Sequence, residues 1–367
     1  MHRKFIKILV IIYLLTGFAG GVMASEASTS HMILGKGTNL AHWLSQTKSR
    51  GEKRRLFLQE KDIAYIAEQG FDHIRLPIDE QQMWDEDGNR DLDAFAIMHN
   101  AIQWGLKYKM KVLVDLHILR SHHFNAKEKP LWTEEKEQQQ FIDLWRDLSQ
   151  ALHQYPTDMV AYELMNEPVA DDPDDWNKLV DKSFRAVREL EPERTIVIGS
   201  NRWQSADTFD ELVVPDDEHI ILSYHFYEPF VLTHYGAGWT DLKDYTGPVH
   251  YPGVSVTQAE YDALPDDQKE AVKNFVGRTF NKQVMTEMME KPLRRAKALG
   301  LPLYCGEFGV FSAAPTEDAQ RWLTDMLSIF EENNVSWANW NYKSDQFGFV
   351  GNDGQPRESV RSVLVEE

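Results

Sequence analysis

The chain has a single cysteine, Cys305, among its 367 residues. One thiol cannot form an internal disulfide or supply a cysteine-rich metal site. Basic residues are also scarce, since 39 Lys and Arg face 58 Asp and Glu, which gives a formal net charge of −19, and no extended Lys/Arg run interrupts the acidic background. This balance argues against nucleic acid and anionic membranes as partners. A neutral polymer remains compatible with it.

Two longer signatures are missing as well. No G-x-G-x-x-G turn follows the first candidate strand, which argues against a dinucleotide-binding sheet. No Pro/Ser/Thr-rich tether leads to a second module. We therefore expect one domain, and nothing in the sequence indicates a cofactor.

The N-terminal residues have the pattern of an export signal. Three basic residues precede the apolar stretch 8–18, and small residues lead to Ala24. We expect a secreted or periplasmic protein without membrane association after cleavage, and an uncleaved N-terminal anchor is the alternative. The predicted division is a signal peptide over 1–24, a flexible leader over 25–32 and a single catalytic domain over 33–367.

Along the rest of the chain, short apolar or β-branched runs alternate with longer amphipathic stretches, a pattern typical of βα units and a parallel sheet. The predicted strands are Ile33–Thr38, His73–Leu76, Val112–His117, Val160–Met165, Thr195–Ser200, Ile220–His225, Leu301–Gly306 and Val335–Trp340. The predicted helices include Lys61–Gln69, Ala94–Tyr108, Glu134–His153, Trp176–Leu190, Gln283–Ala298 and Glu317–Asn333. Eight strands predict an α/β fold, a (β/α)8 TIM barrel. An open doubly wound sheet is the structural alternative.

Two carboxylates, Glu167 and Glu307, each close a short apolar run. An ionised side chain costs several kcal/mol to bury without a partner, so such a residue is either held by partners or used in chemistry. In a barrel the C-terminal ends of all strands meet at one mouth. The two acids are therefore predicted to form an acid/base pair there.

Other polar or aromatic residues also fall at the predicted strand ends, which packing alone does not readily explain. They are Arg75, His117, Asn166, His225, Tyr227 and Trp340.

Together these residues resemble the pattern of glycoside hydrolase family 5, with the tripeptide Asn166-Glu167-Pro168 as its central motif. The segment from Gly37 to Leu44, which contains Trp43, also resembles the opening strand of that family. The resemblance spans roughly residues 33–345. It implies a retaining β-glycosidase with the acid/base on the fourth strand and the nucleophile on the seventh, and it leaves the sugar open.

On this basis we expect Glu307 to be the nucleophile, Glu167 the acid/base, and Arg75 the cation that keeps Glu307 ionised. Asn166 is expected to donate to the sugar 2-OH, and Tyr227 to Glu307. The expected supporting residues are His117 and His225, as donors to sugar hydroxyls or to the two acids, and Trp340, as a stacking face.

Further aromatic residues and histidines follow the strand ends. Trp43, Trp84, Trp132, Trp203 and Trp239 are each assigned either to the cleft or to packing, and Trp43 is included among the expected substrate-binding residues. The long connection 228–257 is predicted to form a wall of the cleft. His117, His122 and His123 also permit a zinc-site interpretation. We prefer a metal-free site in which His122, His123 and Asn125 line the cleft.

The leading hypothesis is an endo-β-1,4-glucanase that acts on soluble or amorphous glucan, an activity that the resemblance implies through its frequency in the family. A monomer is expected. β-Mannanase, xyloglucanase, lichenase and exo-β-1,3-glucanase are alternatives. The stretch from Trp340 to Lys343 resembles a W-x-Y-K ending of exo-acting relatives, which keeps exo action open. A carbohydrate-binding barrel without catalysis is the non-enzymatic alternative.

Overall fold

The computed structural model describes residues 31–365. Within them, eight parallel strands close into a barrel surrounded by helices, which confirms the predicted (β/α)8 TIM barrel. The predicted signal peptide lies outside the described residues, as does most of the predicted leader. No helix in the described part of the chain is both long and apolar enough to cross a membrane.

All eight predicted strands are present. In chain order the strands are β1 Lys36–Asn39, β2 His73–Asp79, β3 Lys111–Ile118, β4 Val160–Glu163, β5 Ile196–Gly199, β6 Ile220–His225, β7 Gly253–Val254, β8 Thr279–Phe280, β9 Leu303–Phe308 and β10 Ser336–Asn339. The barrel follows chain order through β6, continues to β9 and β10, and closes on β1. β7 and β8 form a separate antiparallel pair in the segment between β6 and β9.

The helices fill the connections. The α-helices are α1 Gly51–Phe57, α2 Glu60–Glu68, α3 Glu80–Met83, α4 Leu92–Lys107, α5 Glu135–Leu152, α6 Pro173–Leu190, α7 Asn201–Gln204, α8 Phe230–Thr233, α9 Gln258–Ala263, α10 Asp266–Val272, α11 Lys282–Met288, α12 Glu290–Leu299, α13 Thr316–Glu332 and α14 Glu358–Leu364. Short 3₁₀ helices span Pro130–Trp132, Ala206–Glu211 and Lys273–Phe275.

One predicted helix, Gln283–Ala298, is two helices that meet at Met289. Pro292 explains the break, because proline has no N–H to donate and its ring clashes with the preceding turn of a helix. Restarting at Glu290 places Pro292 in the first turn of α12, where no intrahelical donor is needed.

The barrel interior is layered. Near the N-terminal ends of the strands it is apolar, with Leu113, Ala161 and Tyr304 in one buried cluster. Since side chains alternate along a strand, the next inward positions on β3 and β4 after Leu113 and Ala161 are Asp115 and Glu163. Both of these carboxyl groups are fully buried. The apolar layer therefore supports a polar layer that leads to the mouth.

Candidate active site

Glu307 enters the mouth of the barrel because β9 is irregular beside it. Tyr304 points inward, so a regular strand would also turn Gly306 inward and Glu307 outward. The pairing registers of β9 with β6 and with β10 both shift in this stretch. Such a bulge re-aims the side chain that follows it. The Glu307 carboxylate is consequently buried inside the barrel, 2.9 Å from Arg75 Nη1.

Glu167 follows β4 in the left-handed backbone region, with φ 46°, a conformation that is uncommon for a residue other than glycine. Its backbone N–H donates to Gln204 Oε1 at 2.9 Å. The side chain points toward β6, where its Oε1 lies 3.1 Å from Nδ1 of His225. Strained conformations of this kind persist where the surrounding structure holds them in place.

The two acids face each other. One carboxylate oxygen of Glu167, one of Glu307 and a ring nitrogen of His225 all lie within 4.8 Å of one another. His225 Nδ1 is 3.7 Å from Glu307 Oε2. Glu167 and Glu307, which are 140 positions apart in sequence, therefore share one small cavity.

Arg75 is the centre of the polar layer, and its guanidinium is fully buried. Each of its two terminal nitrogens contacts one amide oxygen and one carboxylate, and Nε donates to a third carboxylate. The measured contacts are Asn39 Oδ1 at 2.9 Å, Asn166 Oδ1 at 2.8 Å, Glu163 Oε2 at 2.7 Å, Glu307 Oε1 at 2.9 Å and Asp115 Oδ2 at 3.0 Å. One cation thus faces three carboxyl groups, so the layer holds more acidic groups than a single positive charge can balance.

The pKa values of the acids follow from this arrangement. Burial raises the pKa of Asp115 to about 7, although Arg75 opposes the rise. Burial also raises the pKa of Glu167 far above its usual range, and the negative charge of Glu307 raises it further. Burial raises the pKa of Glu307 as well, but Arg75 and the Tyr227 hydroxyl limit the rise. When the pair holds one proton, that proton therefore resides on Glu167.

Tyr227 and His225 complete the surroundings of Glu307. The Tyr227 hydroxyl donates to Glu307 Oε2 at 3.0 Å, and burial raises the pKa of this hydroxyl, so it remains a donor. Burial lowers the pKa of His225, which keeps the ring neutral. Gly306 permits this packing, since a Cβ there would lie 3.0 Å from His225 Nε2.

His117 lies one layer above Asp115 on β3. Its Nδ1 is 2.7 Å from Asp115 Oδ2, and its Nε2 is 3.2 Å from Gln46 Nε2. A neutral ring that donates from Nδ1 and accepts the Gln46 amide hydrogen satisfies both contacts, and burial lowers the pKa of His117 in agreement with a neutral ring. The ring stacks on Trp340, with centroids 5.5 Å apart and planes 5° from parallel.

A long groove crosses the mouth of the barrel. One cavity of about 600 Å³ contains Glu307 and Trp340, and a second of about 590 Å³ contains Trp203 and His225. The residues common to both cavities are Phe124, Asn125, Glu167, Tyr227, His234 and Trp239. The groove therefore continues on both sides of Glu167.

Comparison with known proteins identifies the family. The model of the cellulase family, glycosyl hydrolase family 5, matches residues 35–346. This chain belongs to glycoside hydrolase family 5. It is thus a glycoside hydrolase, and the barrel described above is the fold of that family.

Individual relatives agree with the family assignment. Endoglucanase C of Acetivibrio thermocellus is 33% identical over 330 residues, which cover 87% of this chain and 94% of that protein. Cellodextrinase A of Ruminococcus flavefaciens is 30% identical over 305 residues, which cover 82% and 83% respectively. The crystal structure of endoglucanase Cel5A from Thermotoga maritima superposes with a TM-score of 0.72 at 22% identity, over 91% of this chain and 98% of that one.

Most of the side chains predicted for the site of this family 5 hydrolase do converge. One set lines the first cavity, and Arg75 lies beneath it as part of the buried polar layer. The predicted residues along this cavity are His117, His123, Asn125, Asn166, Glu167, Tyr227, Glu307 and Trp340, and His225 lines the second cavity.

Two predicted site residues lie elsewhere. His122 is buried and its Nε2 accepts the Val169 N–H at 3.1 Å, so it supports the loop beyond Glu167 from behind and does not line the cleft. Trp43 is 1% exposed and donates from Nε1 to the Arg54 carbonyl oxygen at 2.8 Å. It also stacks on Trp104 between the barrel and the helices. Both side chains are buried and hold neighbouring backbone by a hydrogen bond, so both positions are structural.

Of the other four tryptophans considered, two pack in the interior and two line the cleft. Trp84 is buried and bonds Asp147, and Trp132 packs on Trp176. Trp203 and Trp239 are 45% and 50% exposed and line the groove. The predicted wall over 228–257 is thus present through His234 and Trp239, whereas Tyr245 and Tyr251 in the same segment are buried.

Several residues of the site escaped the sequence analysis. Asp115 and Glu163 were not singled out, although each acid follows three apolar residues of its strand and lies two residues from an inward apolar neighbour. Nothing in the sequence indicated a role for Gln204, since a polar residue in a predicted loop is usually exposed. Asp79, at the end of β2, also lines the groove, where its Oδ2 accepts the Gln46 N–H at 2.7 Å.

Metal-ligating side chains converge at one place in residues 31–365, at Glu167, His225 and Glu307. The zinc-site interpretation of His117, His122 and His123 has no such convergence in this part of the chain. Both oxygens of Glu307 already accept hydrogen bonds, from Arg75 and Tyr227. The donor set around the acids is therefore arranged to hold a carboxylate.

Proposed function

We propose that this family 5 hydrolase is a retaining endo-β-1,4-glucanase that cleaves soluble or amorphous glucan chains, with Glu307 as nucleophile and Glu167 as acid/base. The separation of the two acids is the observation that carries the proposal. Retaining enzymes hold their carboxyl groups about 5 to 5.5 Å apart, while inverting enzymes leave room for a water between them. The oxygens here approach within 4.8 Å.

The two steps follow from the contacts of each acid. An ionised Glu307 attacks the anomeric carbon while Glu167 gives its proton to the departing glycosidic oxygen, which breaks the C–O bond and forms a glycosyl ester. That ester removes the charge of Glu307, so the pKa of Glu167 falls. Glu167 can then take a proton from water, whose attack releases the sugar and restores Glu307.

Asn166 and Trp340 are proposed to hold the sugar. Asn166 Oδ1 accepts from Arg75, which turns the amide nitrogen away from the guanidinium, and Nδ2 has no hydrogen-bond partner among residues 31–365. A buried donor that lines the cleft in this way suits the sugar 2-OH, a contact that strengthens in the transition state. Trp340 and the stacked His117 offer a flat face to the C–H groups of a pyranose.

Endo action and the β-1,4-glucan substrate are supported by the groove and by the relatives. The groove extends to both sides of Glu167, as an internal cut requires, and two relatives carry the names endoglucanase and cellodextrinase. The W-x-Y-K residues beyond Trp340 give no support to exo action here. Tyr342 bonds Asp62, and Lys343 lies over the Phe57 ring, so both contact the helices outside the barrel.

A panel of soluble β-1,4-glucan, mannan, xyloglucan, lichenan and β-1,3-glucan, with products resolved by size and the first anomer read by NMR, tests the proposal. We expect β-anomeric oligosaccharides of mixed length from β-1,4-glucan. Release of single sugars from chain ends would favour the exo-β-1,3-glucanase alternative, and preference for mannan or xyloglucan would reassign the substrate. An α-anomeric first product would contradict the retaining mechanism.

Secretion and domain boundaries are part of the same proposal. Residues 1–24 are proposed to be a cleaved signal peptide and the catalytic domain to function as a monomer. N-terminal sequencing of the exported protein should begin after Ala24. Size-exclusion chromatography with light scattering should give the mass of one chain.

A further inference from the structure

The connection after β5 has an unusual backbone. Within the four-residue element α7, Arg202, Trp203 and Gln204 have φ values of 54°, 62° and 52°, so three successive residues other than glycine are left-handed and α7 is not a right-handed α-helix. We call these three residues the left-handed turn. Residues with a Cβ seldom adopt this conformation even singly, and such strain collects at functional sites where the surrounding contacts hold it.

The left-handed turn and Asn201 are bonded to the segment that carries Glu167. Trp203 N–H donates to the Pro168 carbonyl oxygen at 3.2 Å. Asn201 exchanges two hydrogen bonds with the backbone of Ala170, at 2.9 and 3.0 Å. Together with the Glu167 N–H bond to Gln204, these contacts hold the segment from Glu167 to Ala170 against the end of β5.

The Gln204 side chain runs from this turn into the polar layer of the barrel and is fully buried. Its Oε1 accepts the Glu167 N–H at 2.9 Å, and its Nε2 donates to Glu163 Oε1 at 3.1 Å and to Ser223 Oγ at 3.0 Å. The partners fix the orientation of the amide, because a backbone N–H can only donate. Glu163 in turn holds Arg75 at 2.7 Å.

Gly199 makes room for this path. A Cβ on Gly199 would lie 2.4 Å from both Cγ and Nε2 of Gln204, closer than side chains pack. Gly199 at the end of β5 leaves space for Gln204, and the left-handed turn directs its side chain inward. Both features therefore place one amide group between Glu167 and Glu163.

We propose that Gln204 is a positioning residue for Glu167, which sets the location of the acid/base relative to Arg75 and Glu307. The proposal rests on the proposed role of Glu167. Losing the amide frees the Glu167 backbone to leave its left-handed conformation, so the carboxyl group moves away from the glycosidic oxygen. Proton donation to the leaving group is the step that suffers, whereas the attack of Glu307 is preserved.

The test is a leaving-group series of aryl β-cellobiosides with the full-length enzyme and the variants Gln204→Met, Asn201→Ala and Gly199→Ala. For Gln204→Met we expect kcat/KM on the poorest leaving group to fall by about 10–100-fold, the range that a misplacement of about 1 Å can cause. On the best leaving group, which needs little protonation, kcat/KM should stay near wild type. Gly199→Ala retains Gln204 but displaces its side chain, so it should also lower kcat/KM more on poor leaving groups than on good ones.

Asn201→Ala is the matched control, since it removes a buried amide that holds the same segment without touching Glu167 or Glu163. It should lower the melting temperature about as much as Gln204→Met. The dependence of kcat/KM on the leaving-group pKa, whose slope the series measures, should stay as in wild type. A folded Gln204→Met enzyme with the wild-type slope, or with equal losses across the series, would overturn the proposal. Glu167→Ala in the same series separates the two ideas: if it too lacks a leaving-group dependence, the role of Glu167 itself is wrong.

Discussion

At the scale of single residues, Glu167 and Glu307 carry the same functional group in the same cavity, and their partners make them different. Glu307 accepts from Arg75 and from the Tyr227 hydroxyl, which favours its ionised form. Glu167 accepts at most from the neutral ring of His225 and faces the charge of Glu307. The pKa of Glu167 is therefore higher than that of Glu307 because of their different hydrogen bonds and neighbouring charges, although the two side chains are chemically identical.

Replacing Glu307 by alanine should abolish turnover on every substrate, because no other group can form the glycosyl ester. The measurement is the rate on soluble glucan and on an aryl cellobioside with a good leaving group, with circular dichroism to confirm the fold. Glu189→Gln is a suitable control, since Glu189 is exposed on α6 and lines neither cavity of the groove. Normal cleavage by Glu307→Ala would reassign the nucleophile.

Replacing Glu167 by alanine should lower kcat/KM strongly on glucan and weakly on aryl glycosides whose leaving groups need no proton. Added azide should restore turnover of the aryl substrates, because an anionic nucleophile needs no general base in the second step. Both effects are read from initial rates at several azide concentrations. Equal losses on both substrate classes, with no response to azide, would remove Glu167 from the acid/base role.

Asp79 gives a prediction about pH and stability. Burial raises its pKa to about 8, far above the value of 3.8 usual for aspartate. Between these values the folded protein keeps a proton that the unfolded chain releases, so stability falls as pH rises from about 4 to about 8. Asp79→Asn removes this ionisation while Asn can still accept the Gln46 N–H.

We therefore expect Asp79→Asn and wild type to melt at similar temperatures at about pH 4, where little of the linkage effect has developed. At pH 9 the variant should melt higher by at least about 2–4 °C, the shift that corresponds to roughly 1 kcal/mol in a domain of this class. Thermal melts followed by circular dichroism at the two pH values provide the measurement. An Asp79→Asn variant that is equally destabilised at both pH values would show that the carboxylate is ionised and needed in the fold.

At the scale of elements, the strands were predictable and their irregularities were not. A buried parallel strand is a continuous apolar run, and such runs identified all eight barrel strands from the sequence. The bulge that turns Glu307 inward depends on pairing with β6 and β10, which local sequence does not encode. The same holds for the left-handed turn, because Arg202 and Trp203 have no sequence preference for that backbone.

Side-chain assignments failed where a residue was placed correctly along the chain but pointed to the other side of its element. His122 follows β3 as predicted, yet its ring packs behind the loop of Glu167. Trp43 follows β1 as predicted, yet its ring stacks on Trp104 of α4. The direction of a loop side chain depends on contacts made by distant segments, and neither periodicity nor spacing contains this information.

The long segment between β6 and β9 contributes Trp239 to the groove, 50% exposed and shared by both cavities. Trp239→Ala should lower kcat/KM for long cello-oligosaccharides more than for short ones, because the stacking of a sugar on the indole ring is lost only when the substrate is long enough to reach that position. The melting temperature should change little. Trp239→Phe, which keeps an aromatic face, should retain most of the wild-type length dependence, and an unchanged length dependence in Trp239→Ala would place the substrate elsewhere.

At the scale of the whole molecule, the proposed substrates are soluble or amorphous glucan chains. We expect little of the enzyme to bind microcrystalline cellulose, because the large aromatic side chains that are exposed among residues 31–365, Trp203 and Trp239, both lie in the groove and do not form a flat outer face. A pull-down with a cellulose-binding protein as positive control measures the bound fraction. Depletion of most of the enzyme from solution would contradict this expectation.

Arg75 joins side chains from β1, β3, β4 and β9, and its partner Glu307 is 232 positions further along the chain. The reactive centre therefore cannot exist in any fragment that stops short of β9. If the chain were divided within the segment between β6 and β9, each of the two fragments would be inactive. Activity would appear only when the fragments reassemble. The enzyme is thus a natural starting point for a split reporter of protein association.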